Sequence, residues 1–151
     1  MRLLLDLPSG WARQASGDDA PVRIDDAVEL TISPLLPLPE DVWEWAQGAP
    51  RRDLPAPATS ATVGATSERR TTLGWPMTVL DSVALAADGA VVAARLHAVF
   101  PLLEHGAIVT VTAREPARLA ARREEILGAL STARPDWGDQ PGAALADLLR
   151  A

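Results

Sequence analysis

The stretch GWPMTVLDSVALAADGAVVAARLHAVFPLLEHGAIVTVTAREPARLAARREEILGALSTARPDW, residues 74–137, reads as three consecutive strands followed by one amphipathic helix. Alternating apolar residues place the strands at 77–86, 91–100 and 107–113, and a 3.6-residue apolar stripe places the helix at 116–133. Pro116 suits the start of that helix and Arg134-Pro135 its end. Strand, strand, strand, helix is the core of an α+β fold with a mainly antiparallel sheet.

Turn chemistry fixes how the strands pair. Asp88-Gly89 is a favoured pair for a two-residue type I′ turn. Centring the first hairpin there opposes Val83 with Ala94, Asp81 with Leu96, Val79 with Ala98 and Leu85 with Val92. A second hairpin turning at Glu104-His105 opposes Phe100 with Val109, Ala98 with Val111 and Leu96 with Ala113. Both registers gather Val79, Val83, Leu85, Val92, Leu96, Ala98, Phe100, Val109 and Val111 on one face. A slip by one residue would turn that whole set over. The opposite face is mixed, with Leu80, Ser82, Ala84, Ala93, Arg95, His97, Val99, Thr110, Thr112 and Arg114. It is too apolar to be fully solvated and too polar for a dry core.

Leu119, Ile126, Leu127 and Leu130 form the helix stripe that covers the apolar face. Two charges interrupt the pattern: Asp81 beside Val79 and Val83, and Arg123 within the stripe. Either they meet as an ion pair between helix and sheet, or Arg123 carries its head to solvent and Asp81 lies beyond its reach.

Outward from this unit, residues 2–7 read as a first strand ended by Pro8-Ser9-Gly10, with extended structure resuming at 11–14. Ser16-Gly17-Asp18-Asp19 reads as a loop, and 22–24 and 27–32 as short strands. Pro34, Pro37 and Pro39 argue against regular structure until a helix opens at Pro39 and runs to Gln47, with Gly48 as its stop. Residues 48–60 read as an irregular Pro-rich loop and 62–72 as extended chain. One domain over 1–137 and a tail at 138–151, forming a short peripheral helix over 142–150, complete the expected organisation.

The composition excludes several chemistries. The 151 residues hold no Cys, Lys, Tyr or Asn, and all 14 basic residues are Arg. Schiff-base and Walker lysines, thiol nucleophiles and thiolate metal sites are therefore absent. A net charge of −6 opposes nucleic acid, and the pairs Arg51-Arg52, Arg69-Arg70 and Arg122-Arg123 are scattered along the chain. The apolar run after Met1-Arg2 is too short for a signal peptide, and no segment approaches the ~20 apolar residues of a membrane span. The expectation is a cytoplasmic protein without cofactor, metal, nucleic-acid partner or membrane insertion.

Candidate sites are sparse. His97 lies mid-strand opposite Thr112 with no carboxylate facing it, and His105 lies in a turn. Glu124-Glu125 diverge by about 100° on the helix, as adjacent positions must. Asp18-Asp19 and Asp25-Asp26 lack a defined cation-binding loop. Trp43 and Trp45 stand about 200° apart on the first helix, so either one is exposed as an interface anchor or both pack beneath the Pro-rich segments. Trp11, Trp75 and Trp137 read as core or edge packing.

Leu7-Pro8-Ser9-Gly10-Trp11 after the first strand, Gly74-Trp75-Pro76, the alternation over 94–100 and 107–113, and the closing helix with Ala133-Arg134-Pro135 resemble the PsbP-like/DcrB-like family of α/β/α sandwiches. The resemblance covers roughly residues 1–137, and it departs at the Pro-rich segment 48–60, where a longer, charged helix is the family's pattern. It implies helices packed on the sheet and binding without catalysis. Members include lipoproteins, photosystem accessory subunits, nuclear-transport factors acting on a small GTPase, and the Eag-type chaperones of type VI secretion. The missing signal sequence is similar to the cytoplasmic, effector-chaperone branch.

The expected function is a non-enzymatic protein-binding module, a bacterial chaperone or adaptor holding an apolar segment of a secreted partner. The mixed face would be its groove, with Leu80, Ala93, Val99 and Trp43 as apolar contacts and Arg95, His97, Thr110 and Thr112 as polar ones. A structural subunit, with that face as a homo- or hetero-oligomer interface, is the alternative. A small hydrolase using His97 is a third reading, opposed by the absence of Gly-x-Ser-x-Gly.

Overall fold

The computed structural model describes residues 2–14 and 20–136. The expected loop at Ser16-Gly17-Asp18-Asp19, Trp137 and the tail helix lie outside the described residues.

Among the described residues, ten strands and two α-helices follow one another as β1 (Arg2–Leu4), β2 (Ala12–Arg13), β3 (Val22–Asp25), β4 (Val28–Ile32), β5 (Leu36–Pro37), α1 (Val42–Gln47), β6 (Ser60–Arg70), β7 (Pro76–Leu85), β8 (Val91–Leu102), β9 (His105–Ala113), α2 (Pro116–Leu130) and β10 (Arg134–Asp136). A 3-10 turn, Ala49–Arg51, continues directly from α1. The main sheet is antiparallel in the order β2-β3-β4-β9-β8-β7-β6, and β5 pairs β9 beyond the end of β4.

The three long strands and α2 stand where the alternation puts them. Val83↔Ala94, Asp81↔Leu96 and Val79↔Ala98 are the pairs that the first hairpin requires. The turn itself differs. Of Ala87, Asp88 and Gly89, Gly89 alone takes a positive φ (+85°), and Ala86 exchanges backbone hydrogen bonds with Gly89 and Ala90. That is a three-residue loop closing on a left-handed glycine, and Asp88 stabilises it by accepting from the Ala90 N–H at 3.0 Å. Leu85 consequently meets Val91, not Val92, across a bulge.

In the second hairpin Leu102 pairs His105, so the turn is Leu103-Glu104 and Phe100 faces Ala107. Every pair is displaced by two residues from the expected register, an even number, and the same side chains therefore stay on the same face. Leu103 holds the turn with φ +60°.

The α2 side of the sheet is a continuous core of Val22, Val28, Leu30, Val79, Leu96, Phe100, Val109 and Val111 against Leu119, Ile126 and Leu130. Helix α2 stops at Leu130, short of the expected Ala133, because hydroxyls take over its last carbonyls: Ser131 Oγ donates to Gly128 and Thr132 Oγ1 to Ala129, each at 2.6 Å. Its outer edge is tied down by Arg122, which donates to Asp25 (3.0 Å) and Glu125 (2.9 Å), while Trp11 Nε1 donates to Glu125 (2.8 Å). The Ala27 N–H, and then Arg122, hold the Asp25 carboxyl below its usual range against the opposing effect of desolvation.

Several short elements depart from expectation. The first strand is three residues long and leaves the main sheet to pair with β10, where Arg2 Nε donates to Asp136 at 2.9 Å. Helix α1 begins at Val42, not Pro39, because Asp41 is its N-cap and accepts from the Glu44 N–H at 2.9 Å. The segment with Pro34, Pro37 and Pro39 is not wholly irregular: Leu36 and Pro37 pair Gly106 and His105. Pro37 is tolerated because β5 has a single neighbouring strand among the described residues.

Arg123 and Asp81 do meet, Nη1 to Oδ1. Their side chains keep 35% and 29% of their exposure, so water screens the pair. A double-mutant cycle of Asp81→Ala and Arg123→Ala, followed by urea unfolding, is expected to give a coupling below about 1 kcal/mol that shrinks with added salt. A coupling of several kcal/mol would mean the pair is effectively dry.

Candidate functional site

The mixed face is not an open groove. Leu80, Val99 and Ile108 pack beneath Trp45, Ala46 and Ala49, with Leu38, Val42 and Val63 at the margin of this second core. Leu80, Ala93, Arg95, His97 and Val99 are all buried, none above 4% exposed. The sequence expectation that these five stand uncovered is corrected by α1 and the 3-10 turn, which lie over them. Gly106 makes the close cover possible, since a Cβ there would run into the Trp45 indole and Leu38. Thr110 and Thr112 are half-buried.

The polar residues trapped under the cover are bonded internally. Ser82 Oγ and His97 Nε2 are hydrogen-bonded at 2.9 Å, and His97 Nδ1 and Thr110 Oγ1 at 3.3 Å. Desolvation, helped by the nearby Arg95 charge, pushes the His97 pKa down to about 3. The imidazole is neutral at ordinary pH, and a neutral ring can satisfy one hydroxyl as donor and the other as acceptor. Ser82, His97 and Thr110 resemble a nucleophile–base arrangement, but no carboxylate orients the ring and Ser82 is only 4% exposed. The geometry is that of a satisfied core polar chain.

Arg95 has a different task. Its guanidinium donates to the carbonyls of Arg52 (3.2 Å), Asp53 (3.2 Å) and Pro50 (3.5 Å), which gathers the end of the 3-10 turn onto the sheet. Asp53 adopts φ +48°, a left-handed conformation uncommon for a non-glycine residue, as it presents its carbonyl. Burial lowers the Arg95 pKa while the Asp53 charge opposes that shift, and Nε stays buried without a partner.

The accessible site lies beside the cover. A groove of about 520 Å³ is lined by Val42, Trp43 and Ala46 of α1, Glu68, Arg69 and Arg70 of β6, Pro76, Met77 and Thr78 of β7, and Val99 and Pro101 of β8. Of the eight residues expected to bind a partner, it brings together Trp43 and Val99. The two tryptophans of α1 do not both pack beneath the Pro-rich segments: Trp45 is 8% exposed and Trp43 52%. Sequence reasoning missed the β6 and β7 wall. The Arg69-Arg70 pair was visible as a charge run, but nothing local shows that a helix some 25 residues earlier lies across from it. Among the described residues no cluster of His, Asp and Glu has the makings of a metal site, and no helix is long and apolar enough to cross a membrane.

Solved structures supply the comparison. Cyanobacterial PsbP (CyanoP) from Synechocystis sp. PCC 6803 superposes with a TM-score of 0.55 at 15% identity, over 89% of this chain and 82% of its own. The fold is PsbP-like. PA94 from Pseudomonas aeruginosa, a protein of unknown function, matches with a TM-score of 0.55 at 16% identity, over 91% of this chain and 83% of its own. No family model and no curated protein matches the sequence.

Two outcomes test this account of the covered face. For His97, the unfolded chain (pKa about 6.5) takes up a proton that the folded one refuses until about pH 3. Stability is therefore complete above about pH 6.5 and falls with pH below it, by up to about 1.4 kcal/mol per pH unit for this proton. His97→Gln should flatten the urea-unfolding profile between pH 6.5 and 4.5 relative to the parent; parallel profiles would show that the histidine titrates normally. For Arg95, Arg95→Met should release the turn and accelerate tryptic cleavage at the exposed Arg51 and Arg52, read by mass spectrometry. Unchanged cleavage rates would show that the turn is held by Trp45 and Ala49 alone.

Proposed function

We propose that this chain is a non-enzymatic protein-binding module that holds an apolar segment of a partner protein in the groove between α1 and strands β6–β8. The observation that carries the reading is Trp43, 52% exposed on the rim of a groove lined by Val42, Ala46, Val99 and Pro101. Exposed tryptophans beside an apolar recess are the residues that most often dominate a protein interface. The burial of α2 on one sheet face and α1 on the other supports an α/β/α sandwich of the PsbP-like/DcrB-like kind. On that resemblance we place the chain with cytoplasmic bacterial chaperones or adaptors, of which the Eag-type chaperones of secreted effectors are the nearest in kind.

A second reading, a structural subunit of a larger assembly, draws on β6. This 11-residue edge strand pairs only β7 among the described residues and carries neither Lys nor Pro to blunt its outer edge. The bulge between Val63 and Thr66 interrupts that edge, which favours the groove.

Affinity capture from a bacterial host, comparing the parent with Trp43→Ala, separates the two. One dominant partner, lost with Trp43→Ala while the far-UV spectrum is unchanged, is the expected result. A multi-copy complex retained by Trp43→Ala would establish the subunit reading. Val99→Glu is unsuitable for this purpose, because Val99 is 1% exposed and the variant would unfold the second core.

A further inference from the structure

The two edges of the main sheet are built differently. On one side the sheet ends in β2, whose two residues offer little to pair with, and on the other in β6, whose eleven run from Ser60 to Arg70. Among the described residues the backbone of 60–70 bonds only to β7, so every other residue turns an N–H and a C=O outward without a protein partner. Eight of the eleven residues are exposed and the other three, Ala61, Val63 and Ser67, are half-buried, which leaves the edge within reach of solvent. Edges of this length are ordinarily blunted by proline or by charges along them. Here Ser60 to Ser67 are uncharged and none is larger than valine, while Glu68, Arg69 and Arg70 stand together at one end.

Unpaired backbone groups in strand geometry dictate the conformation of whatever completes them. We infer that β6 accepts an added strand: an extended, uncharged segment of a partner protein, rich in β-branched residues and bonded through its main chain. Opposite Thr62, Val63 and Thr66 such side chains make favourable cross-strand pairs, and no charge on 60–67 opposes them. A second copy of the chain fits this edge poorly. Across a two-fold axis β6 would oppose itself in reverse, and an axis at Glu68, Arg69 or Arg70 sets that charge against its own copy. An axis at 64–67 brings the bulge between Val63 and Thr66 into the pair, and one within 60–63 pairs four residues at most. A single segment escapes these restrictions, because its own sequence, not a copy of Glu68-Arg69-Arg70, stands opposite. This surface is the outer edge of the sheet and does not rest on the groove reading.

A random dodecapeptide display library selected on the parent supplies the probe. A selected peptide should keep its affinity for Trp43→Ala and lose at least tenfold on Thr62→Lys/Thr66→Lys, two exposed positions on opposite faces of the edge. Methylating one alternate set of the peptide's backbone nitrogens should abolish binding, and methylating the other set should be tolerated, as for a strand bonded on one side only. That arm leaves the protein untouched and serves even if the lysine variant fails to fold. Binding lost on Trp43→Ala and indifferent to the lysines and to methylation would place the peptide in the groove and overturn the edge proposal, as would the absence of any enriched peptide. Concentration-dependent dimerisation abolished by the two lysines would assign the edge to a second copy. Slow hydrogen exchange at every amide of 60–70 in the peptide-free monomer would show that the chain covers its own edge. Either result overturns the proposal.

Discussion

A strand with water on neither side is the constraint from which the rest of this molecule follows. From Ala93 to Phe100 every residue of β8 is buried, the even-numbered ones toward α2 and the odd-numbered ones toward α1 and the 3-10 turn. One face is apolar and needs only a helix stripe to cover it. The other contains Arg95 and His97, which must find partners inside the protein because an unpaired buried polar group costs a few kcal/mol. Ser82, Thr110 and the carbonyls of residues 50–53 are those partners. The two covers differ accordingly. Helix α2 holds by an apolar stripe, with Arg122 and Arg123 tying its flanks to Asp25 and Asp81. The α1 segment is short and combines a small apolar core with hydrogen bonds from a buried cation.

That asymmetry also locates the groove. Helix α1 has six residues, too few to span the sheet, and covers Leu80, Val99 and Ile108 without reaching the ends of β6 and β7. The space it leaves is bounded by its own Trp43 and by Glu68 and Arg70 of β6. The cover that closes the histidine away thus creates the accessible recess beside it. A groove of this origin inherits an apolar floor from the sheet and a charged wall from the sheet's edge.

Legibility in the sequence followed the range of the interactions. Alternation along β7, β8 and β9 and the stripe of α2 are local patterns, and they fixed strand existence and face. The second hairpin was misread by two residues because Leu103-Glu104 carries no turn signature, yet the even displacement left every side chain on its face. The first hairpin contains Asp88-Gly89 but uses the glycine alone in the left-handed region, which costs one bulge at Leu85. The Asp81–Arg123 contact was foreseeable because each charge interrupts an apolar series. The closure of the mixed face was not, because it depends on a Pro-rich segment whose position is set by Arg95, some 45 residues away, and on the space above Gly106. Nothing in residues 48–60 alone says where that loop lies. The same holds for β10, three residues whose strand character comes entirely from β1.

The β1–β10 pair sets how this fold meets mechanical load. Arg2 lies opposite Asp136, so residues at the two ends of the described fold are hydrogen-bonded neighbours on antiparallel strands. Tension applied between residues 2 and 136 would act across the strands and not along them, opening Arg2↔Asp136, then Leu3↔Pro135, then Leu4↔Arg134 one after another. Such peeling breaks one contact at a time and resists far less than shear, which must break all of them together. The eight-stranded sheet would bear no force until this small clasp had opened. Tethered between two anchors, the domain would yield first at its seam, with the groove still intact.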